Sequence, residues 1–209
     1  MLYKTTLFCT FTAFIMTSQP EIIIQPDYWK GDKCLENGVP WQVPDSIYKE
    51  AEFCQENDIA LEFGSGGSTV FLAQRCKFVI SIETDGAWAS CVRNRLQELN
   101  LKNVMLMHIP REDSIVSFVQ TLNTENIGIL SVDTVHGYNR SLFLNTFLEK
   151  GISPNLHMII LDNYSAPELF PTHFNIEIMN FPQWETHTYD DHFWCGSGTR
   201  LHIRKALRE

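Results

Sequence analysis

The run Glu62-Phe63-Gly64-Ser65-Gly66-Gly67-Ser68-Thr69 follows directly on a short apolar stretch, Ile59–Phe63. Glycines at such a turn let backbone approach a ligand that a Cβ would exclude. A second apolar stretch, Lys77–Glu83, ends in Glu83, a carboxylate placed to accept hydrogen bonds from both hydroxyls of a ribose. Together they imply a cofactor that carries adenosine. Two further acidic endings stand out, Ser131-Val132-Asp133-Thr134-Val135-His136-Gly137-Tyr138 and Ile160-Leu161-Asp162-Asn163-Tyr164. Asp133, Asp162 and Asn163 offer oxygen donors of the kind a hard divalent cation such as Mg²⁺ takes. Such an ion would lower the pKa of a bound hydroxyl and aim its oxygen. Asp133 serves equally well as a helix or turn cap, and Asp162-Asn163 as a turn pair.

These residues need a scaffold that brings the ends of several strands to one crevice. Ile59–Phe63, Lys77–Glu83, 103–109, Ile127–Asp133 and His157–Asn163 read as buried strands. Helical patterns lie between them. Asp45 is a candidate cap for a helix through Ile47, Tyr48, Ala51 and Phe53, and Ser68–Cys76, Trp88–Leu99, Asp113–Leu122 and Ser141–Glu149 read as helices. In Trp88–Leu99 the expected inward face carries Ala87, Cys91 and Leu96. Strand and helix alternating at this spacing imply right-handed crossovers and a parallel sheet. The last fifty or so residues break the pattern. Phe174–Phe181 and Thr199–Ala206 read as an antiparallel pair at the sheet edge, joined by an aromatic connection through Trp184–Trp194. The expected fold class is α/β, a Rossmann-like doubly wound sheet of seven strands, mostly parallel with an antiparallel terminal hairpin. Ligands bind such sheets at the carboxyl ends of the strands, where strand order reverses.

The run LEFGSGGST followed by VISIE resembles the paired motifs of the class I S-adenosylmethionine-dependent methyltransferases. In that family a first motif of the form E-x-G-x-G precedes a second strand that ends in an acidic residue. The resemblance extends from about Trp41 to the C-terminus and includes the antiparallel last strand. It implies that Glu62, Gly64, Ser65 and Gly66 face the methionine part of the cofactor, and Glu83 its ribose. The endings at Asp133 and at Asp162-Asn163 are similar to those of metal-dependent O-methyltransferases of the catechol and sugar-modifying type. By that resemblance Asp133, Asp162 and Asn163 bind Mg²⁺, Asp133 and His136 are catalytic, and His136 is the general base, which suits an imidazole titrating near neutrality. The implied activity is methyl transfer from S-adenosylmethionine to a hydroxyl of a small molecule or glycan. Two readings compete. An NAD-dependent oxidoreductase shares the glycine turn and the distant acid, although Thr69 stands where a dinucleotide fingerprint has its third small residue. A catalytically silent protein of the same fold is the other.

Composition sets outer bounds. The 209 residues are 44% hydrophobic and 20% charged, enough for one well-filled globular domain. We divide the chain into an N-terminal extension, residues 1–40, and a methyltransferase-like domain, residues 41–209. A formal charge of -9 opposes nucleic acid and anionic membranes as partners. Residues 1–19 faintly resemble a signal peptide but have a thin basic start and no small-residue cleavage site. The six scattered cysteines form no C-x-x-C pair. Both observations favour a cytoplasmic protein over a secreted one.

Overall fold

The computed structural model describes residues 20–25, 27, 28, 30, 32–134, 139–165, 183–190 and 198–205. Five parallel strands are β1 (Ile59–Phe63), β2 (Phe78–Glu83), β3 (Val104–His108), β4 (Ile127–Val132) and β5 (Met158–Leu161). Two antiparallel strands, β6 (Trp184–Tyr189) and β7 (Thr199–Arg204), complete a seven-stranded sheet of order β3-β2-β1-β4-β5-β7-β6. The order reverses between β1 and β4, which places the ligand crevice beyond Phe63 and Val132.

Among the described residues, six helices accompany the strands: α1 (Lys33–Asn37), α2 (Pro44–Phe53), α3 (Gly67–Ala73), α4 (Gly86–Glu98), α5 (Glu112–Thr121) and α6 (Arg140–Leu148). On one face α5 and α6 bury Ile115, Val119, Phe143 and Phe147 against Leu61, Phe63, Leu130 and Leu161. Phe63 and Phe143 stack there with ring centroids 5.3 Å apart. On the other face Ile47 of α2 and Phe71 and Leu72 of α3 cover Ala60, Val79, Ile129, Ile160 and Leu201. Tyr28, Cys34 and Val39 join that second core. Among the described residues, no helix is long and apolar enough to cross a membrane.

Three local expectations change. α2 begins one residue before Asp45, with Pro44 in the first turn and Val43 at the cap, because proline's fixed φ suits that position and it has no N–H to leave unpaired. In α4 the buried face is Ala89, Val92 and Leu96, while Ala87 and Cys91 are exposed. Leu96 is buried as expected, whereas Ala87 and Cys91 lie about half a turn round the helix from the Ala89, Val92 and Leu96 face. The outer partner of β7 is Trp184–Tyr189, which sequence reasoning treated as a connection. Its alternating burial, with Trp184 in the core, is strand-like despite the polar composition. Phe174–Phe181, expected as that partner, lies outside the described residues.

Candidate active site

The glycine turn is shaped by backbone crowding at the switch point. Gly64 has φ +94°, and a Cβ there would fall 2.0 Å from the carbonyl oxygen of Asp133. Two hydrogen bonds hold the strand ends this close, Gly64 N–H to the Ile82 carbonyl at 2.8 Å and Asp133 N–H to the Phe63 carbonyl at 2.8 Å. Gly67 approaches the α1 segment as tightly, with a Cβ there 2.0 Å from the Val39 carbonyl oxygen. Gly66 differs, because its backbone is extended and, among the described residues, the nearest group to an added Cβ is the Trp88 ring at 3.8 Å. Gly66 therefore has room on the side where Gly64 and Gly67 have none.

Glu62 braces the turn from beneath. It is fully buried, and its Oε2 accepts from Thr69 Oγ1 at 2.6 Å and from Ser81 Oγ at 2.7 Å. Thr69 Oγ1 accepts in turn from the Gly66 N–H at 2.9 Å. Among the described residues, Glu62 Oε1 has no hydrogen-bond partner. Burial pushes the carboxyl up to about 7, against the pull of the neighbouring hydroxyls. An unpartnered carboxylate oxygen beneath a glycine turn suits a cationic ligand group, such as the ammonium of a methionine moiety.

Glu83 ties the turn to the end of β2. Its Oε2 accepts from Ser65 N–H at 2.9 Å and Ser65 Oγ at 2.7 Å, and its Oε1 from Thr84 N–H at 2.7 Å and Asp85 N–H at 2.9 Å. Trp88, one turn into α4, donates its indole N–H to the Ser65 carbonyl at 2.7 Å. Asp85 caps α4 by accepting from Ala87 N–H and Trp88 N–H at 2.8 and 3.0 Å. His108, at the end of β3, lies 3.2 Å from the Thr84 carbonyl through Nε2. The first three strand ends and the start of α4 thus form one hydrogen-bonded collar around Ser65.

The ends of β4 and β5 do come together, but around an arginine. Arg140 is 3% exposed. Its Nε donates to the Thr134 carbonyl at 2.9 Å, and one terminal nitrogen donates to the Asp162 carbonyl at 2.7 Å and Asn163 Oδ1 at 3.3 Å. The other terminal nitrogen pairs with Asp133 Oδ1 at 3.0 Å and also bonds the Thr134 carbonyl. Asp162 is buried, and its Oδ1 accepts from Thr199 Oγ1 at 2.8 Å. Burial, reinforced by the Asp133 charge, pushes the Asp162 carboxyl well above the usual range. This donor set does not fit a divalent cation. A guanidinium already claims Asp133 and Asn163, and the third expected ligand is a carboxyl held toward its neutral form. Among the described residues, no group of three or more His, Cys, Asp or Glu side chains is arranged to hold a metal. His136 lies outside the described residues.

Sequence reasoning singled out Glu62, Gly64, Ser65, Gly66 and Glu83, and the structure brings Glu62 of β1 and Glu83 of β2 against the glycine turn that holds the other three. It missed Trp88 and Arg140. The signal for Trp88 was its place one turn after the Asp85 cap, beside the end of β2. Arg140 had none, because its role depends on the tertiary approach of β4 and β5.

Neither a protein-family model nor a curated protein sequence matches the chain. Solved structures match it with low identity. A candidate O-methyltransferase from Klebsiella pneumoniae is 20% identical over 88% of this chain and 92% of its own, with a TM-score of 0.57. A Podospora anserina methyltransferase bound to S-adenosylhomocysteine is 17% identical over 87% and 89%, at 0.54. An rRNA methylase from Streptococcus thermophilus is 14% identical over 79% and 99%, also at 0.54. With its sheet order and its antiparallel terminal pair, the chain has the class I methyltransferase fold.

Proposed function

We propose that the protein is an S-adenosylmethionine-dependent methyltransferase that modifies a hydroxyl of a small molecule or sugar. The observation that carries this reading is the Glu83 carboxylate, joined to the glycine turn at the switch point of a class I methyltransferase fold. When bound, S-adenosylmethionine supplies a methyl group already activated by its sulfonium, so the protein has mainly to align and deprotonate the acceptor.

In this reading Glu83 accepts from the ribose hydroxyls as the Ser65 side chain turns away. The Gly64–Gly66 backbone and Ser65 line the methionine end, and Glu62 Oε1 takes its ammonium. Asp133 is assigned to the acceptor, and so, by the sequence resemblance alone, is His136. The His136 imidazole, assigned by the sequence resemblance, would take the proton of the acceptor hydroxyl as general base. No metal is assigned, since the donor set around Arg140 does not suit one. The Klebsiella similarity favours a hydroxyl acceptor, and the charge of -9 weighs against a nucleic acid despite the rRNA methylase similarity.

The test is a thermal-shift and calorimetric titration with S-adenosylmethionine and S-adenosylhomocysteine, with NAD(H) as control. Saturable binding of the adenosyl pair alone is expected and opens a screen of phenols and sugars. Silence with that pair overturns the assignment, and a response to NAD(H) instead supports an oxidoreductase.

A further inference from the structure

The first residue of α6 is an arginine, where a positive charge opposes the helix dipole. An unfavourable local placement of this kind calls for a compensating tertiary role. Arg140 has one. Its contacts with Asp133, Thr134, Asp162 and Asn163 account for all five N–H groups of a guanidinium. A guanidinium so engaged has no donor left for a substrate anion. It acts as a fixed positive charge that crosslinks the end of β4 to the end of β5.

We propose that Arg140 occupies the position of a divalent cation between these strand ends, making the site metal-independent, and that it is a positioning residue for the Asp133 segment. Both a metal and a guanidinium satisfy converging oxygen atoms and neutralise a carboxylate there. They exclude each other, because a +2 ion inserted among the same oxygens would sit within a few ångströms of the guanidinium in a poorly solvated site. The guanidinium differs in what it can do for a reaction. It cannot bind and polarise the acceptor oxygen, so removal of the hydroxyl proton falls to a side chain. The proposal rests on the methyltransferase reading only for that last consequence.

The experiment is a Mn²⁺ titration followed by calorimetry and by the electron paramagnetic resonance of free Mn²⁺, with and without S-adenosylhomocysteine. The wild type is expected to show no saturable site for Mn²⁺ in either state. Arg140→Ala, which removes the guanidinium from Asp133 and Asn163, is expected to gain Mn²⁺ affinity by at least about tenfold, and Asp133→Asn in that background to abolish the gain. A purely structural arginine would not produce that gain. Stoichiometric Mn²⁺ binding by the wild type, lost in Asp133→Asn, overturns the proposal, as does a folded Arg140→Ala that gains nothing. If Arg140→Ala does not fold, the wild-type titration decides alone. Failure of S-adenosylhomocysteine to bind bears on the methyltransferase reading and leaves the Mn²⁺ result to be read independently.

Discussion

The Ser65 hydroxyl donates to Glu83 Oε2 across 2.7 Å and so joins the glycine turn to the end of β2. With the Ser65 N–H on the same oxygen and two backbone N–H groups on Oε1, the carboxylate is fully engaged. A ribose that binds Glu83 must displace the Ser65 side chain, the one of these donors that can rotate away without moving backbone.

Two substitutions therefore act in opposite directions. Glu83→Ala strips the acceptor from the N–H groups of Ser65, Thr84 and Asp85, at about 1–3 kcal/mol for each one left unsatisfied. S-adenosylhomocysteine affinity should fall by about tenfold or more, with a lower melting temperature. Ser65→Ala removes only the competitor, and affinity should rise by about two- to fivefold, within the net worth of one hydrogen bond. Calorimetry reads both, and weaker binding by Ser65→Ala would mean that its hydroxyl is not a competitor.

Glu62 makes stability and binding depend on pH. Its carboxyl is raised to about 7 from an ordinary value of 4.5, so between those values the unfolded chain is ionised while the folded one keeps its proton. The stabilisation is complete below about 4.5 and is lost as pH rises through about 7. Glu50 and Asp162, both shifted upward by burial, act in the same direction. Glu62→Gln should flatten part of the fall in melting temperature from pH 5 to pH 8, and an unchanged slope would remove Glu62 as its source. An ammonium group docking on Oε1 would lower the pKa and release a proton. Binding enthalpy near pH 6.5 should then depend on the ionisation enthalpy of the buffer, and less so in Glu62→Gln.

Trp88 should report on the turn. Its indole N–H holds the Ser65 carbonyl at 2.7 Å, and its ring lies against Gly66. Rotation of Ser65 alters that environment, so S-adenosylhomocysteine should shift the tryptophan emission. Trp88→Phe should lose the signal and weaken binding by about fivefold, the equivalent of one hydrogen bond of ~1 kcal/mol.

How much of this was legible follows from how local each signal is. The glycine turn and Glu83 declare themselves because strand, turn and acid are contiguous in sequence and have few alternatives on a parallel sheet. Asp133, Asp162 and Asn163 were expected to converge because they lie at the ends of adjacent strands, and Arg140 contacts all three, Asp162 through its backbone carbonyl alone. What fills the space between them depends on Arg140, a residue whose local setting argues only for a surface position. The α4 face slipped for a related reason, as Ala and Cys are small enough to be read on either side. Trp184–Tyr189 was obscured by its polar alternation, which edge strands tolerate because one side of each pair faces water.

The two outer glycines of the G-x-G turn should separate folding from binding. At Gly64, φ is +94° and a Cβ would overlap the Asp133 carbonyl oxygen at 2.0 Å, a contact made with backbone that cannot step aside. Gly64→Ala must therefore part the ends of β1 and β4, break the Gly64–Ile82 and Asp133–Phe63 hydrogen bonds, and cost several kcal/mol, roughly the whole margin of a marginal domain. It should fail to give soluble, cooperatively melting protein. At Gly66 the backbone is extended, and among the described residues an added Cβ meets nothing closer than the Trp88 ring at 3.8 Å, an ordinary contact. Gly66→Ala should keep the wild-type melting temperature within a few degrees. The methyl group would instead stand in the space a ligand needs against the turn, and S-adenosylhomocysteine affinity should drop by about tenfold or more. Equal loss of stability in both variants would show that Gly66 is a folding glycine as well. Undiminished binding by a well-folded Gly66→Ala would show that the ligand does not approach the turn at that residue, and would move the methionine end of the site elsewhere along the strand ends.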